Sequence, residues 1–70
     1  MQKNNSPTAY RKELRERILA ASMEEFRKHG VRAVKMDDIA SRLGISKRTL
    51  YEIYSNKETL LLEGMKMYEE

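Results

Sequence analysis

Ser46-Lys47-Arg48-Thr49 sets two cations between two hydroxyls, and Tyr51 follows just beyond Leu50. These groups are hydrogen-bond donors or hydroxyls, so their natural partners are phosphate oxygens and the acceptor-rich edges of nucleic-acid bases. The Arg48 fork suits a bidentate contact to guanine O6 and N7, worth about 1–3 kcal/mol of discrimination. Lys47 can read a base edge or hold a phosphate. Tyr51 offers a ring for a thymine methyl and a hydroxyl for a phosphate. Thr49 is short and close to a helix N-terminus, where a backbone phosphate also meets free amides. Lys57, at the start of the next helix, is placed to clamp phosphates from the other side of the groove. Each has an ordinary alternative: Lys47 and Arg48 as solubilising charge, Thr49 back-bonded to its own chain, Tyr51 packed on a neighbour.

The elements that carry these residues separate the readings. Met36 to Leu61 reads as two short helices joined by a glycine turn, then a capped start to another helix. The first of these covers about Asp37 to Leu43, with Asp37 and Asp38 in the first turn, where negative charge suits the helix dipole. Ile39 and Leu43 lie four apart on its inward face, and Ala40 lets a neighbour approach. Gly44 takes the positive φ that ends it, Ile45 plugs the turn, and Ser46 caps a helix running to about Tyr54. With Leu50 and Tyr54 inward, Lys47, Arg48 and Tyr51 face out. A short helix held by apolar residues, with cations on its exposed leading end, is built to enter a DNA groove. Ser55-Asn56-Lys57-Glu58 has the reciprocal capping pattern of a further helix, which continues through Leu60, Leu61 and Leu62.

A longer helix precedes them. Ser6, with Pro7 at the first helical position, is its expected cap, with Thr8 competing. Leu14, Ile18, Ala21, Ser22 and Phe26 recur at helical spacing and mark its buried stripe. Arg27, Lys28 and His29 suit its carboxyl end, and Gly30 is the expected left-handed terminator. At about 1.5 Å per residue this rod spans roughly 30 Å and serves as scaffold.

Seventy residues allow one small domain, which buries roughly 60% of its unfolded surface. Charged residues make up 36% of the chain and aromatics 7%, which suits amphipathic helices better than a sheet. Cysteine is absent, excluding a disulfide framework and thiolate metal sites. No apolar run approaches the roughly 20 residues that span a bilayer, so a cytoplasmic protein without a membrane partner is expected. The net charge of +3 is unevenly spread. Residues 31–57 set Arg32, Lys35, Arg42, Lys47, Arg48 and Lys57 against Asp37, Asp38 and Glu52, whereas residues 58–70 set Lys66 against Glu58, Glu63, Glu69 and Glu70. The basic excess ends where the last helix begins, which fits a nucleic-acid surface on the earlier part, with an ordinary solvated mixed surface as the alternative reading of charge alone.

From Arg17 to Leu62 the chain resembles the DNA-binding domain of TetR-family transcriptional regulators. The resemblance rests on Ile18-Leu19, Ala21 and Phe26 before Gly30, then Asp38-Ile39-Ala40, Leu43-Gly44-Ile45-Ser46, Thr49-Leu50-Tyr51, Tyr54 and Lys57-Glu58-Thr59-Leu60. It implies an all-α fold: a small three-helix, homeodomain-like helix-turn-helix domain over residues 8–62, after a flexible tail of residues 1–7. Residues 63–70 then continue a fourth helix towards an effector and dimerisation domain. It also implies a repressor that binds a palindromic operator on double-stranded DNA as a homodimer and is released by a small molecule. These 70 residues alone are expected to be a monomer or weak dimer with weak DNA affinity, since one half-site reader lacks avidity. Lys47, Arg48 and Tyr51 occupy base-reading positions by this resemblance, and Thr49 and Lys57 phosphate-contacting ones, with Ser46 at the cap. Three positions depart from the family. Lys35 replaces a Ser or Thr cap, which weakens that helix start and adds a phosphate cation. Asp37 replaces a residue that is basic in some members, and an acid there repels phosphate unless it accepts from a cytosine amino group. Ile53 replaces a frequent phosphate-donating histidine.

Other signals are weaker. His29 has no nearby histidine, cysteine or spaced carboxylate, so neither a metal nor a cofactor is expected. The five methionines sit at helical spacings that suit packing. Gly30, Gly44 and Gly64 form no phosphate-binding loop, and no nucleophile–base set marks an enzyme. The N-terminal residues are a candidate minor-groove arm with little charge to support it. Two alternatives stand beside operator reading. One is a helical protein–protein module using Leu60, Leu61, Leu62, Met65 and Met67, residues that the family resemblance turns partly towards the larger C-terminal domain. The other is a helix-turn-helix serving recombination or transcription initiation.

Overall fold

The computed structural model describes residues 7–67, with side chains from Tyr10 onward. The Ser6 cap and most of the N-terminal tail weighed as a minor-groove arm lie outside the described residues. Four α-helices and one 3₁₀ turn follow in order: α1 (Pro7–His29), the turn (Val31–Ala33), α2 (Met36–Leu43), α3 (Lys47–Ile53) and α4 (Lys57–Met67). Among the described residues there is no strand, so the fold is all-α, as the sequence implies.

Helix α1 buries Leu14, Ile18, Leu19, Ala21, Ser22 and Phe26 along one stripe. The buried Ser22 hydroxyl is satisfied by donating to the Ile18 carbonyl at 2.6 Å, one turn back. Gly30 continues the helix by one hydrogen bond, from its N–H to the Phe26 carbonyl at 2.8 Å, and then turns at φ 85, ψ 147. The φ is positive as expected, but the extended ψ puts Gly30 outside the left-handed helical region and into one that essentially only glycine enters. This swing launches the 3₁₀ turn, which the sequence pattern does not reveal, and it delivers Val34 to the core.

Helix α2 starts one residue earlier than the pattern suggests, because Met36 is itself buried. Lys35 caps it with extended backbone but has no side-chain acceptor. The Asp38 carboxylate supplies half of a capping box by accepting from the Lys35 N–H at 2.9 Å. Gly44 ends the helix in the left-handed region (φ 72, ψ 27), and the Ile45 N–H donates to the Ala40 carbonyl at 3.0 Å. Ser46 then caps α3, its Oγ accepting from the Thr49 N–H at 3.0 Å. These two caps fix the helix-turn-helix joint.

Helix α4 corrects two expectations. Its cap is Asn56, whose Oδ1 accepts from the Thr59 N–H at 2.8 Å and the Thr59 hydroxyl at 2.9 Å, so the expected pairing of Ser55 with Glu58 does not form. Leu60 is fully buried, so of the apolar residues 60–67 it is Leu62, Met65 and Met67 that stand exposed. One fully covered side chain from each helix meets in the core: Ile18, Ile39, Leu50 and Leu60.

Helix α4 packs against α1, and Gly64 is buried at the contact, facing Met23 of α1. A Cβ there would overlap the Met23 thioether. Gly64→Val should therefore destabilise the chain by about 1–3 kcal/mol through overpacking, enough to exceed the helix-propensity gain of losing a glycine. Urea denaturation followed by circular dichroism measures this; a neutral or stabilising result would show that the half-buried Met23 side chain swings aside at no cost.

Candidate nucleic-acid interface

The orientation of α3 follows from its two buried residues. Leu50 is fully covered and Tyr54, at the C-terminal cap, is buried. Successive helical residues turn by about 100°, so Arg48, two residues before Leu50, lies on the opposite side. Its side chain is 87% exposed. Tyr51 is exposed too, and the Lys47 side chain is 60% exposed. The structure thus brings Lys47, Arg48 and Tyr51 to the outer surface of one short helix.

The hydroxyls flank them in a defined hydrogen-bond order. Ser46 Oγ accepts from the Thr49 N–H and donates to Thr49 Oγ1 at 2.9 Å. Ser46 is therefore occupied by the cap, whereas Thr49 accepts and keeps its own proton to give away. Lys35 is exposed at the head of α2, and among the described residues no carboxylate lies within ion-pair distance of it.

The cations expected to meet nucleic acid are not bare. Lys47 Nζ lies 3.1 Å from Asp37 Oδ1 on α2, and Arg48 Nε lies 3.4 Å from Glu52 Oε2 one turn along α3. Both pairs are solvent-exposed, so each is worth roughly 0–1 kcal/mol and opens readily. Lys57 is held more firmly. Its ammonium is half-buried and donates to the carbonyls of Val31 (2.7 Å) and Val34 (2.8 Å). It ties the start of α4 to the turn between α1 and α2 and retains one proton. Sequence reasoning missed this role, because nothing local marks those carbonyls as short of donors.

Arg42 was also missed. Counted in sequence as part of the basic excess, it bridges α2 to α1 by donating to Glu24 and, at 2.6 Å, to Glu25. Glu25 further faces His29 Nε2 at 3.6 Å from one turn back along α1, so the histidine does have a spaced carboxylate partner, contrary to the sequence reading. The only advance signal was a pair of adjacent acids in an otherwise basic stretch. Hydrogen bonding from Arg42, then its charge and that of Lys28, hold the Glu24 carboxyl below its ordinary range, and the Arg42 guanidinium is raised in return. Burial pushes the Tyr54 phenol up, partly opposed by Arg15. Among the described residues no three metal-ligating side chains come together.

Comparison with known proteins identifies the family of the chain. The sequence pattern of the bacterial regulatory proteins of the tetR family matches residues 18–63. An uncharacterized HTH-type transcriptional regulator of Bacillus subtilis, YerO, is 41% identical over 56 residues, covering 80% of this chain and 19% of its own length. A second from the same organism, YezE, is 34% identical over 51 residues, covering 73% of this chain and 26% of its own length. FasR of Mycolicibacterium smegmatis, an HTH-type transcriptional activator, is 44% identical over 52 residues, covering 74% of this chain and 24% of its own length. The chain thus spans about a fifth to a quarter of the length of these relatives. No solved structure matches it significantly.

Because Glu24 is held low, the stability it lends is present above the ordinary carboxylate range and is lost as pH falls through its depressed value. Arg42→Gln should therefore lower the melting temperature at neutral pH, with the gap to wild type closing in acid. Thermal melts across a pH series check this; a gap that stays constant into acid would assign the Arg42 effect to packing of its stem alone.

Proposed function

Since the chain belongs to the tetR family of bacterial regulatory proteins, we propose that residues 8–62 are the operator-reading domain of a non-enzymatic DNA-binding regulator. In this reading α3 enters the major groove. Arg48, Lys47 and Tyr51 meet base edges, and Thr49 gives its spare proton to a phosphate. Lys35 and the remaining proton of Lys57 contact the backbone on either side, and Ser46 contributes by fixing the α3 N-terminus. The observation that supports this best is the full burial of Leu50, which leaves Lys47, Arg48 and Tyr51, with Glu52 beside Arg48, as the face α3 presents.

The rest of the proposal follows from the family. The exposed Leu62, Met65 and Met67 belong to a surface that the remainder of a longer regulator covers, and the apolar residues of α4 are read this way rather than as a separate protein-docking module. Dimerisation through that remainder pairs two domains on a palindromic operator, in the cytoplasm where bacterial DNA is. No helix among the described residues is long and apolar enough to cross a membrane. The family's usual mode is repression relieved by a small molecule bound outside these residues, and this is the mode proposed here. FasR is named an activator, so a similar domain also serves the opposite sign.

Arg48→Ala should weaken binding to a duplex selected from a random pool by about 1–3 kcal/mol and relax base preference at one position of the site. Leu62→Ser should leave that affinity unchanged. Fluorescence anisotropy on the selected duplex and on single-base variants measures both. Full affinity in the Arg48 variant, or a loss confined to Leu62→Ser, would favour the docking module instead.

A further inference from the structure

Asp37 is an acid among donors. It lies in the first turn of α2, its side chain is 60% exposed, and its carboxylate reaches Lys47 across the helix-turn-helix joint. Among the described residues this is the one ion pair joining α2 to α3. The joint does not need it for strength: the Gly44 turn, the Ser46 cap and the burial of Ile39 and Leu50 hold the helices together. Nor does α2 need it for capping, because Asp38 already takes the Lys35 N–H. The other exposed acid nearby, Glu52, pairs with Arg48 within α3 and spans no joint.

Its chemistry distinguishes two kinds of DNA contact. The phosphate backbone offers only acceptors and negative charge. The major-groove edge of every Watson–Crick pair offers an amino donor beside a carbonyl acceptor, adenine N6 with thymine O4 or cytosine N4 with guanine O6. An ammonium beside a carboxylate matches the second and mismatches the first. To reach a phosphate, Lys47 must leave Asp37 and bring an uncompensated carboxylate near the backbone. At a base-pair edge both members of the pair find partners.

We propose that Asp37 is a specificity-determining residue: by holding Lys47 it weakens sequence-independent binding to phosphates and leaves the pair suited to a base-pair edge. The proposal rests on the DNA-reading function above and adds to it a residue that lowers generic affinity. It also gives a physical reason for an acid on a surface otherwise built to approach a polyanion.

The test is a double-mutant cycle on the 70-residue chain, measured by anisotropy with a duplex of arbitrary sequence over a range of salt concentrations. Asp37→Asn should raise generic affinity about two- to fivefold at low salt, the range of an exposed ion pair. It should also steepen the dependence of log K on log salt by about one, as Lys47 moves to a phosphate. Most of that gain should vanish when Lys47 is already Gln, and Asp37→Glu should bring affinity and slope back towards wild type. Circular dichroism checks that each variant is folded, and Asp37→Ser, which keeps a helix-capping oxygen, repeats the measurement if Asn disturbs α2. Unchanged or weakened binding in folded Asp37→Asn, or an equal gain in the Lys47→Gln background, would overturn the proposal while leaving DNA reading intact. No salt-dependent binding by the wild-type chain to any duplex would overturn the DNA reading itself, and the proposal with it.

Discussion

The burial of Leu50 is the constraint on which the rest of this small domain depends. It is fully covered in a core shared with Ile18, Ile39 and Leu60, one residue from each helix. A helix of seven residues has little intrinsic stability of its own. It exists because this apolar contact, with Tyr54 beside it, holds it against the scaffold. The same contact sets its rotation. If Leu50 turned away from the core by one residue's rotation, Arg48 and Tyr51 would leave the outer face. Packing and the proposed function are therefore one requirement here, and the long α1 rod and the packing of α4 against it at Gly64 serve to keep that core closed.

Much of this was legible in the sequence wherever the determining interaction was local. Ser46 with Thr49, and Gly44 with its left-handed φ, act over three or four residues, and their types announce them. The inward pair Leu50 and Tyr54 follows from helical spacing alone. What escaped was set by contacts between elements. Leu60, Leu61 and Leu62 together cover some 200° of a helix surface, so their pattern does not say which faces the core. The register that buries Leu60 also makes Asn56 the cap in place of its equally competent neighbour Ser55. Gly30 announces a positive φ but not its ψ, which depends on carrying Val34 into the core.

Charge was the least legible property. A count of lysines and arginines gives the sign of the surface but not the work each cation does. Arg42 bridges α1 and α2, and Lys57 fastens α4 to the turn after α1. Lys47 and Arg48, the two cations with the best access to a groove, each rest against a carboxylate. The basic excess in residues 31–57 is thus divided between holding the fold and facing outward. The outward share is Lys47 and Arg48 on α3 together with Arg32 and Lys35, which lie before α2.

The placement of α3 in a DNA groove is tested most directly by an amide NMR titration of the chain with a duplex at two salt concentrations. Docking as described gives shifts centred on Lys47 to Tyr51 and on Lys57, fading steeply as salt rises, because phosphate contacts release counterions. Shifts that are absent at low salt, or confined to the Leu60–Met67 end of α4, would contradict it and assign the binding surface to the apolar side of the fold.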